Sequence, residues 1–269
     1  MTGTELTSTR SPRVTAARRL VKRAFRDRDG RFLAEGPQAC REAAGSPGVL
    51  LELYVTADAA ARHADVLAAA RAAGAEVVPA SGEVVASLSG TVTPQGMVGV
   101  CGLLGSSLPD LLATSPRLVT VLAHARDPGN VGTVIRSSDA AGADGVVITE
   151  ASVDPYNPKA VRASAGSLFH LPVVTGPEVG ALVADLRRAG LRVLAADGAG
   201  ERDLDDLLDE GSLAAPTAWV FGNEAWGLPA QTRALADEVV RVPIHGRAES
   251  LNLATAAAVC LYASARAQR

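Results

Sequence analysis

The chain has 269 residues, enough for one large domain or two small ones. Hydrophobic residues make up 48% and charged residues 20%, which supplies a sizeable core and excludes a globally disordered chain. The formal charge of −3 averages two unlike parts: residues 1–31 carry nine Arg and Lys against three acids, a net of +6, so the remainder sums to −9. A basic opening on an acidic body fits a polyanionic partner, and equally a solvated helix face. Three cysteines, Cys40, Cys101 and Cys260, without CxxC spacing indicate neither a disulfide framework nor a zinc site. The four histidines are scattered, so no metal is expected. Residues 1–31 hold no apolar run that would read as a secretory leader, and the longest apolar stretch, residues 253–265, is too short to cross a bilayer. The expectation is a soluble cytoplasmic protein with no membrane partner.

Residues 11–28 read as one basic helix, with Val14, Ala17, Leu20, Val21 and Ala24 at helical spacing. Residues 49–56 are a strand candidate, 57–73 an alanine-rich helix ending at Gly74, 75–80 a short strand and 97–104 a further apolar strand. That alternation describes a small α/β domain over residues 1–104. Residues 105–116, rich in turn formers, read as a linker. From residue 117 to 269 the β/α alternation is regular. Strands are expected at 118–124, 145–149, 173–174, 191–196, 218–221 and 239–244. Helices are expected at 131–141, 158–167, 178–189, 204–208 and 251–265. Continuous apolar strands between helices imply a parallel sheet covered on both faces.

Three stretches of this second half follow strands and carry polar residues. The first is Asp127-Pro128-Gly129-Asn130-Val131-Gly132, with Arg136 nearly two turns into the helix if Asn130 caps it. The second is Gly222-Asn223-Glu224-Ala225-Trp226-Gly227-Leu228, whose glycines allow close approach of backbone to a ligand. The third runs from Val242-Pro243-Ile244 through Gly246 to Glu249-Ser250-Leu251-Asn252. Ser250 suits an N-cap, and Asn252, placed one turn into an apolar helix, needs hydrogen-bond partners. Taken singly, each stretch also reads as an ordinary turn or a surface residue. A rival motif, Asp197-Gly198-Ala199-Gly200, begins like a dinucleotide fingerprint, but Asp203 stands where the third glycine belongs and would repel a pyrophosphate.

Together, in this order, the three stretches resemble the SpoU (TrmH) branch of the SPOUT methyltransferases, with Val161-Arg162-Ala163-Ser164-Ala165-Gly166-Ser167 adding to the likeness. The resemblance covers residues 117–269 and implies an α/β fold whose C-terminal parallel sheet is tied in a deep trefoil knot. It implies transfer of a methyl group from S-adenosyl-L-methionine to a ribose 2′-hydroxyl of RNA, 23S ribosomal RNA first. Transfer RNA, an antibiotic-resistance role and a catalytically inactive RNA-binding protein stand as alternatives. By the same resemblance Gly222, Val242, Ile244 and Leu251 would line the cofactor, with Leu122 and Asn223 nearby. Arg136 would sit at the reacting ribose, oriented with it by Asn130, Glu224, Ser250 and Asn252. An arginine is a poor base in water, so Arg136 suits a clamp on phosphate and developing alkoxide. Whether phosphate, water or a perturbed Arg136 takes the proton stays open. The resemblance also implies a homodimer through the knotted domains. Phe32-Leu33-Ala34-Glu35-Gly36 resembles the opening of an L30e-like RNA-binding domain. Arg18, Arg19, Lys22, Arg23 and Arg162 are candidate RNA contacts. Aromatics at 3% argue against a stacking platform for single-stranded bases.

Overall fold

The computed structural model describes residues 4–269. Its first elements are α1 (Pro12–Arg19), α2 (Arg23–Asp29), β1 (Arg31–Glu35), α3 (Pro37–Gly45), β2 (Leu50–Val55), α4 (Ala57–Arg62), α5 (Ala64–Ala72), β3 (Glu76–Pro79), α6 (Gly82–Leu88) and β4 (Met97–Gly102). There follow α7 (Leu108–Ala113), β5 (Leu118–Leu122), α8 (Pro128–Ala141), β6 (Gly145–Ile148), α9 (Pro158–Ala163), β7 (Val173–Thr175) and α10 (Val179–Arg188). The chain ends with β8 (Arg192–Ala196), β9 (Arg202–Asp203), α11 (Leu204–Asp209), β10 (Thr217–Phe221), α12 (Ala230–Ala234), β11 (Glu238–Arg241) and α13 (Leu253–Ala267). Two compact units result. One holds the residues up to Leu104 together with Asp154–His170, the other Gly105–Val153 together with Leu171–Arg269.

The first unit is a four-stranded sheet in the order β1-β4-β2-β3, antiparallel except for the β2–β3 pair. Val14, Ala17 and Leu20 of the basic opening pack with Leu33, Tyr54, Val84, Leu88 and Val98. The opening is not the single helix expected over residues 11–28. The Arg26 side chain is buried, its Nη1 donates to the carbonyls of Leu20 (2.9 Å) and Val21 (2.8 Å), and its Nε donates to Asp154 at 2.8 Å. Those carbonyls are thereby satisfied outside a helix, and the chain turns between α1 and α2. The helix expected over residues 57–73 likewise splits at His63, whose φ and ψ of −127° and 46° are not helical.

Residues 154–170 lie in the part of the sequence assigned above to the second domain, yet they pack within the first unit. The ring of Phe32 is 4.8 Å from that of Tyr156 and 6.0 Å from that of Phe169. The helix expected to reach residue 167 stops at Ala163, because Ala165 and Gly166 turn to φ of 50° and 102°. Glu35, 8% exposed, accepts from the hydroxyls of Ser89 and Thr91, from the Gly90 N–H at 3.1 Å and from Arg162 at 3.0 Å. Burial pushes its carboxyl up, but those hydroxyls, the Gly90 N–H and the Arg162 charge outweigh it and hold the group below the usual carboxylate range. A carboxyl held low when folded stabilises the unit at neutral pH, and that contribution fades as pH falls from about 4.3 through the lowered value. Glu35→Gln is therefore expected to lower the melting temperature at pH 7 and to flatten its fall between about pH 5 and pH 3. Equal acid slopes in the two proteins would contradict this.

The second unit is a seven-stranded sheet in the order β7-β6-β5-β10-β8-β11-β9, parallel throughout, as expected from the continuous apolar strands. Its core includes Val119, Val121, Val147, Leu182, Val193 and Val220. The stretch read as a linker carries α7, capped by Ser107, and its Leu111 is buried in that core. On the other side α13 is pinned by a buried bond from Trp219 Nε1 to Ser264 Oγ at 2.8 Å. Register places Leu122, Phe221 and Ala196 side by side, with Val240 next to Ala196. The loops leaving β5, β10, β8 and β11 therefore emerge together at the carboxyl edge, where open α/β sheets bind ligands.

Candidate active site

The loops after β8, β10 and β11 line a cavity of about 260 Å³. Gly222, Asn223, Val242, Ile244 and Leu251 line it, as do Glu224 and Ser250. Leu122 stands behind it, fully buried and paired with Phe221, which does line it. Ile244 and Leu251 remain 39% and 38% exposed, so this wall presents aliphatic surface to whatever enters the cavity. The sequence reading missed Asp197, Gly198, Val240, Glu249 and Leu253 in the same wall. Asp197 had drawn attention only through the rejected dinucleotide motif. Its carboxylate accepts from the N–H groups of Ala199 (2.9 Å) and Leu228 (3.3 Å) and lies 3.4 Å from Arg233, so it ties the loop after β8 to the loop after β10.

The loop after β10 closes tightly. Asn223 and Gly227 exchange backbone hydrogen bonds, both at 2.9 Å, and Gly227 has φ of 68°. A Cβ on Gly222 would meet the backbone of Gly227 at 2.5 Å, so glycine is required there by space. Asn223 is buried and donates to the carbonyl of His124 at 3.0 Å.

Asn130 does not cap its helix. Pro128 occupies the first turn and Asp127 is the cap residue, which suits proline's fixed φ and missing N–H. Asn130 is thus freed to face Glu224, which lies in an exposed loop rather than at the strand end. Glu224 accepts from Asn130 Nδ2 at 3.1 Å and from the N–H groups of Arg126 and Asp127, both at 3.4 Å. Asn252 Nδ2 in turn donates to Asn130 Oδ1 at 3.2 Å. Asn252 is itself the cap of α13, taking the N–H groups of Ala254 (2.9 Å) and Thr255 (3.3 Å) on its Oδ1. This corrects the reading that Ser250 caps the helix and that Asn252 lies inside it. The polar partners demanded by Asn252 are its own helix amides.

The polarity of this chain follows from one group. An ionised carboxylate only accepts, so Asn130 must turn its NH₂ toward Glu224 and its oxygen toward Asn252. Asn252 must then present its own NH₂ to Asn130 and its oxygen to the helix. Each amide keeps one N–H beyond these bonds. The three residues, with Arg126 and Trp226, border an open groove of about 770 Å³ beside the cavity.

Arg136 is not part of this cluster within the chain. Six residues beyond Asn130 it is rotated about 120° around the helix. It shares the exposed face of α8 with Thr133 and Ala140, without a hydrogen bond or ion pair among the described residues. In the first unit Arg18, Arg19, Lys22 and Arg23 are exposed around the α1–α2 turn. Arg23 lies 3.5 Å from Asp27, and Arg19 lies 5.6 Å from the centre of the Phe25 ring. Arg162 is 37% exposed, steadied by Glu35. Among the described residues no cluster of His, Cys, Asp and Glu could hold a metal ion, and no helix is long and apolar enough to cross a membrane. The three cysteines are free and buried, and burial pushes the thiols of Cys40 and Cys260 up to about 12.

Residues 117–262 match the SpoU rRNA Methylase family. The chain belongs to that family. Residues 11–99 match the MRM3-like substrate binding domain, which bears on the L30e-like reading of the N-terminal half. Among SpoU relatives, the 23S rRNA (guanosine(2553)-2′-O)-methyltransferase RlmP of Bacillus subtilis is 31% identical over 96% of this chain and 98% of its own. The 23S rRNA (uridine(2479)-2′-O)-methyltransferase of Streptomyces viridochromogenes is 36% identical over 64% of this chain and 61% of its own. An AdoMet-bound rRNA methyltransferase from Sinorhizobium meliloti superposes with a TM-score of 0.84 at 31% identity, covering 98% of this chain and 97% of that one. The SpoU methyltransferase AviRb of Streptomyces viridochromogenes, solved with AdoMet, gives 0.83 at 31% identity, covering 96% and 98%.

Proposed function

We propose that this SpoU chain transfers a methyl group from S-adenosyl-L-methionine to a ribose 2′-hydroxyl of 23S ribosomal RNA. The observation that carries the reading is the Glu224–Asn130–Asn252 hydrogen-bond chain in the groove beside the cavity, which Glu224 also lines. The names of the SpoU relatives support it. The cavity fits the cofactor in chemistry: apolar walls from Val240, Val242, Ile244, Leu251 and Leu253, a loop of main-chain groups at 222–228, and half-exposed aliphatics awaiting cover. When bound, S-adenosylmethionine supplies a methyl group already activated on a sulfonium.

The chain's own residues then have positioning to do. Glu224 sets the orientation of both asparagines, and their remaining N–H groups point a fixed pair of donors at the ribose or its phosphate. Arg136 works by charge, on the phosphate and on the developing alkoxide. Its exposed, unpaired state supports a role completed by RNA and by a second subunit. A homodimer through the second unit is part of this reading, supported by Val259 and Tyr262, 40% and 53% exposed on α13 where it packs on α8. So is the trefoil knot. β11 joins the sheet beyond β8, and α13 packs against α8, β5 and β10 as well as β8, a course for residues 242–252 past the 222–228 loop that supports this reading. The first unit, residues up to 104 together with 154–170, would hold RNA through Arg18, Arg19, Lys22 and Arg23, with Arg162 as a phosphate contact. We place the reaction in the cytoplasm with its RNA.

Titration calorimetry with S-adenosylmethionine and a tritiated-methyl assay on a 23S rRNA transcript test the proposal. Saturable binding and transfer are expected. Transfer to tRNA alone would move the substrate, and binding without transfer to any RNA would leave a non-catalytic RNA-binding protein.

A further inference from the structure

We propose that Trp226 is the stacking platform for a nucleobase at the methylation site, and so a substrate-positioning residue of the reaction proposed above, on which this inference rests. The chain has two tryptophans. Trp219 is fully buried and spends its N–H on Ser264, while Trp226 is 54% exposed on the rim of the groove that also holds Asn130, Glu224 and Asn252.

An exposed indole offers a large flat π face, and base–aromatic stacking is a strong and sequence-tolerant way to cover it. This one is also rigidly mounted. The loop that carries it is closed by the mutual Asn223–Gly227 bonds and by Ala225 N–H donating to Asn223 Oδ1 at 2.9 Å. Beneath it lies His124, its ring centre 5.6 Å from that of Trp226 and inclined by 53°. His124 has φ of 61°, a conformation uncommon for a residue with a side chain, and its carbonyl is held by Asn223 Nδ2 at 3.0 Å. A local strain is thus retained where it props an exposed ring beside the polar cluster. An aromatic content of 3% excludes an extended platform, but recognition of one splayed-out nucleotide needs only one ring. The same Gly222–Leu228 loop would then order two things at once, the cofactor wall on its inner side and the target base on its outer side.

The test uses the full chain, a 23S rRNA transcript and the variants Trp226→Ala and Trp226→Phe. Trp226→Ala is expected to lower kcat/KM for RNA about 10- to 100-fold, the range that loss of one base–aromatic stack sets. The affinity for S-adenosylmethionine, the oligomeric state by sedimentation and the slope of RNA binding against salt should stay unchanged, since no charge is removed. Trp226→Phe should recover most of the loss. RNA should quench the tryptophan emission of the wild type and not that of Trp226→Phe, in which Trp219 alone remains. Unchanged kcat/KM in Trp226→Ala would overturn the proposal, and so would a loss accompanied by a smaller assembly, which would make Trp226 a subunit contact. Failure of the wild type to methylate any RNA would instead remove the underlying reading, and quenching of Trp226 by the transcript would still decide whether a base stacks there.

Discussion

Replacing Arg136 by alanine is expected to lower methyl transfer about 100- to 1000-fold, the usual cost of removing one preorganised group from developing negative charge. Affinity for S-adenosylmethionine should barely change, because Arg136 is absent from the cavity wall. Its side chain is exposed on α8 and makes no bond among the described residues, so truncation should leave folding intact. The effect would then be purely functional. Arg136→Lys separates charge from shape. Lysine keeps the charge and loses the planar fork that grips a phosphate in two places, so partial recovery is expected. Single-turnover methylation at saturating cofactor, with calorimetry for the cofactor itself, measures both. Full turnover in Arg136→Ala would remove this residue from the mechanism.

The second large effect is expected at Gly222. Its inner face is closed by the backbone of Gly227 at 2.5 Å and of Leu228 at 2.7 Å from any added Cβ. Backbone cannot step aside as a flexible side chain does, so Gly222→Ala must push the 222–228 loop away from β10. Overpacking of this kind costs about 1–3 kcal/mol. Because the displaced loop is one wall of the cavity, that cost should reappear as a loss in cofactor affinity of about 10- to 100-fold. Circular dichroism would show that the sheet survives, since Gly222 lies outside the hydrogen-bonded register of β10. Wild-type affinity in a folded Gly222→Ala protein would contradict the account of the loop.

These two positions differ in how they could be seen in the sequence. The strands of the second unit were legible because a parallel sheet covered on both faces needs near-continuous apolar runs, and 118–122, 145–148 and 217–221 are such runs, broken only by Thr120 and Thr217. The motif residues around Gly222, Asn130 and Asn252 were legible as a joint pattern. Their geometry was not. Asp127 and Pro128 took the cap that Asn130 seemed suited to, and Asn252 proved to be a cap itself. At α13 Ser250 and Asn252 lie within one turn and Asn252 takes the orphan amides, whereas at α8 the proline after Asp127 sets the first turn and neither Asp127 nor Asn130 caps it with a side chain. The break between α1 and α2 was invisible for a related reason. It depends on Arg26 reaching Asp154, 128 positions away. Arg126 carried no local signal beyond its place just after a strand, and the one signal at Asp197, the dinucleotide-like run it opens, pointed to a different ligand.

The most direct test of the central claim is the position of the label after transfer. Tritiated methyl from S-adenosylmethionine is moved by the wild-type chain to an unmodified 23S rRNA transcript, and the RNA is hydrolysed in alkali. Alkaline cleavage needs a free 2′-hydroxyl as nucleophile, so methylation of that oxygen protects the adjoining linkage. The account predicts label confined to an alkali-resistant dinucleotide from a single site. Label recovered in mononucleotides would mean that a base is methylated, and would contradict it.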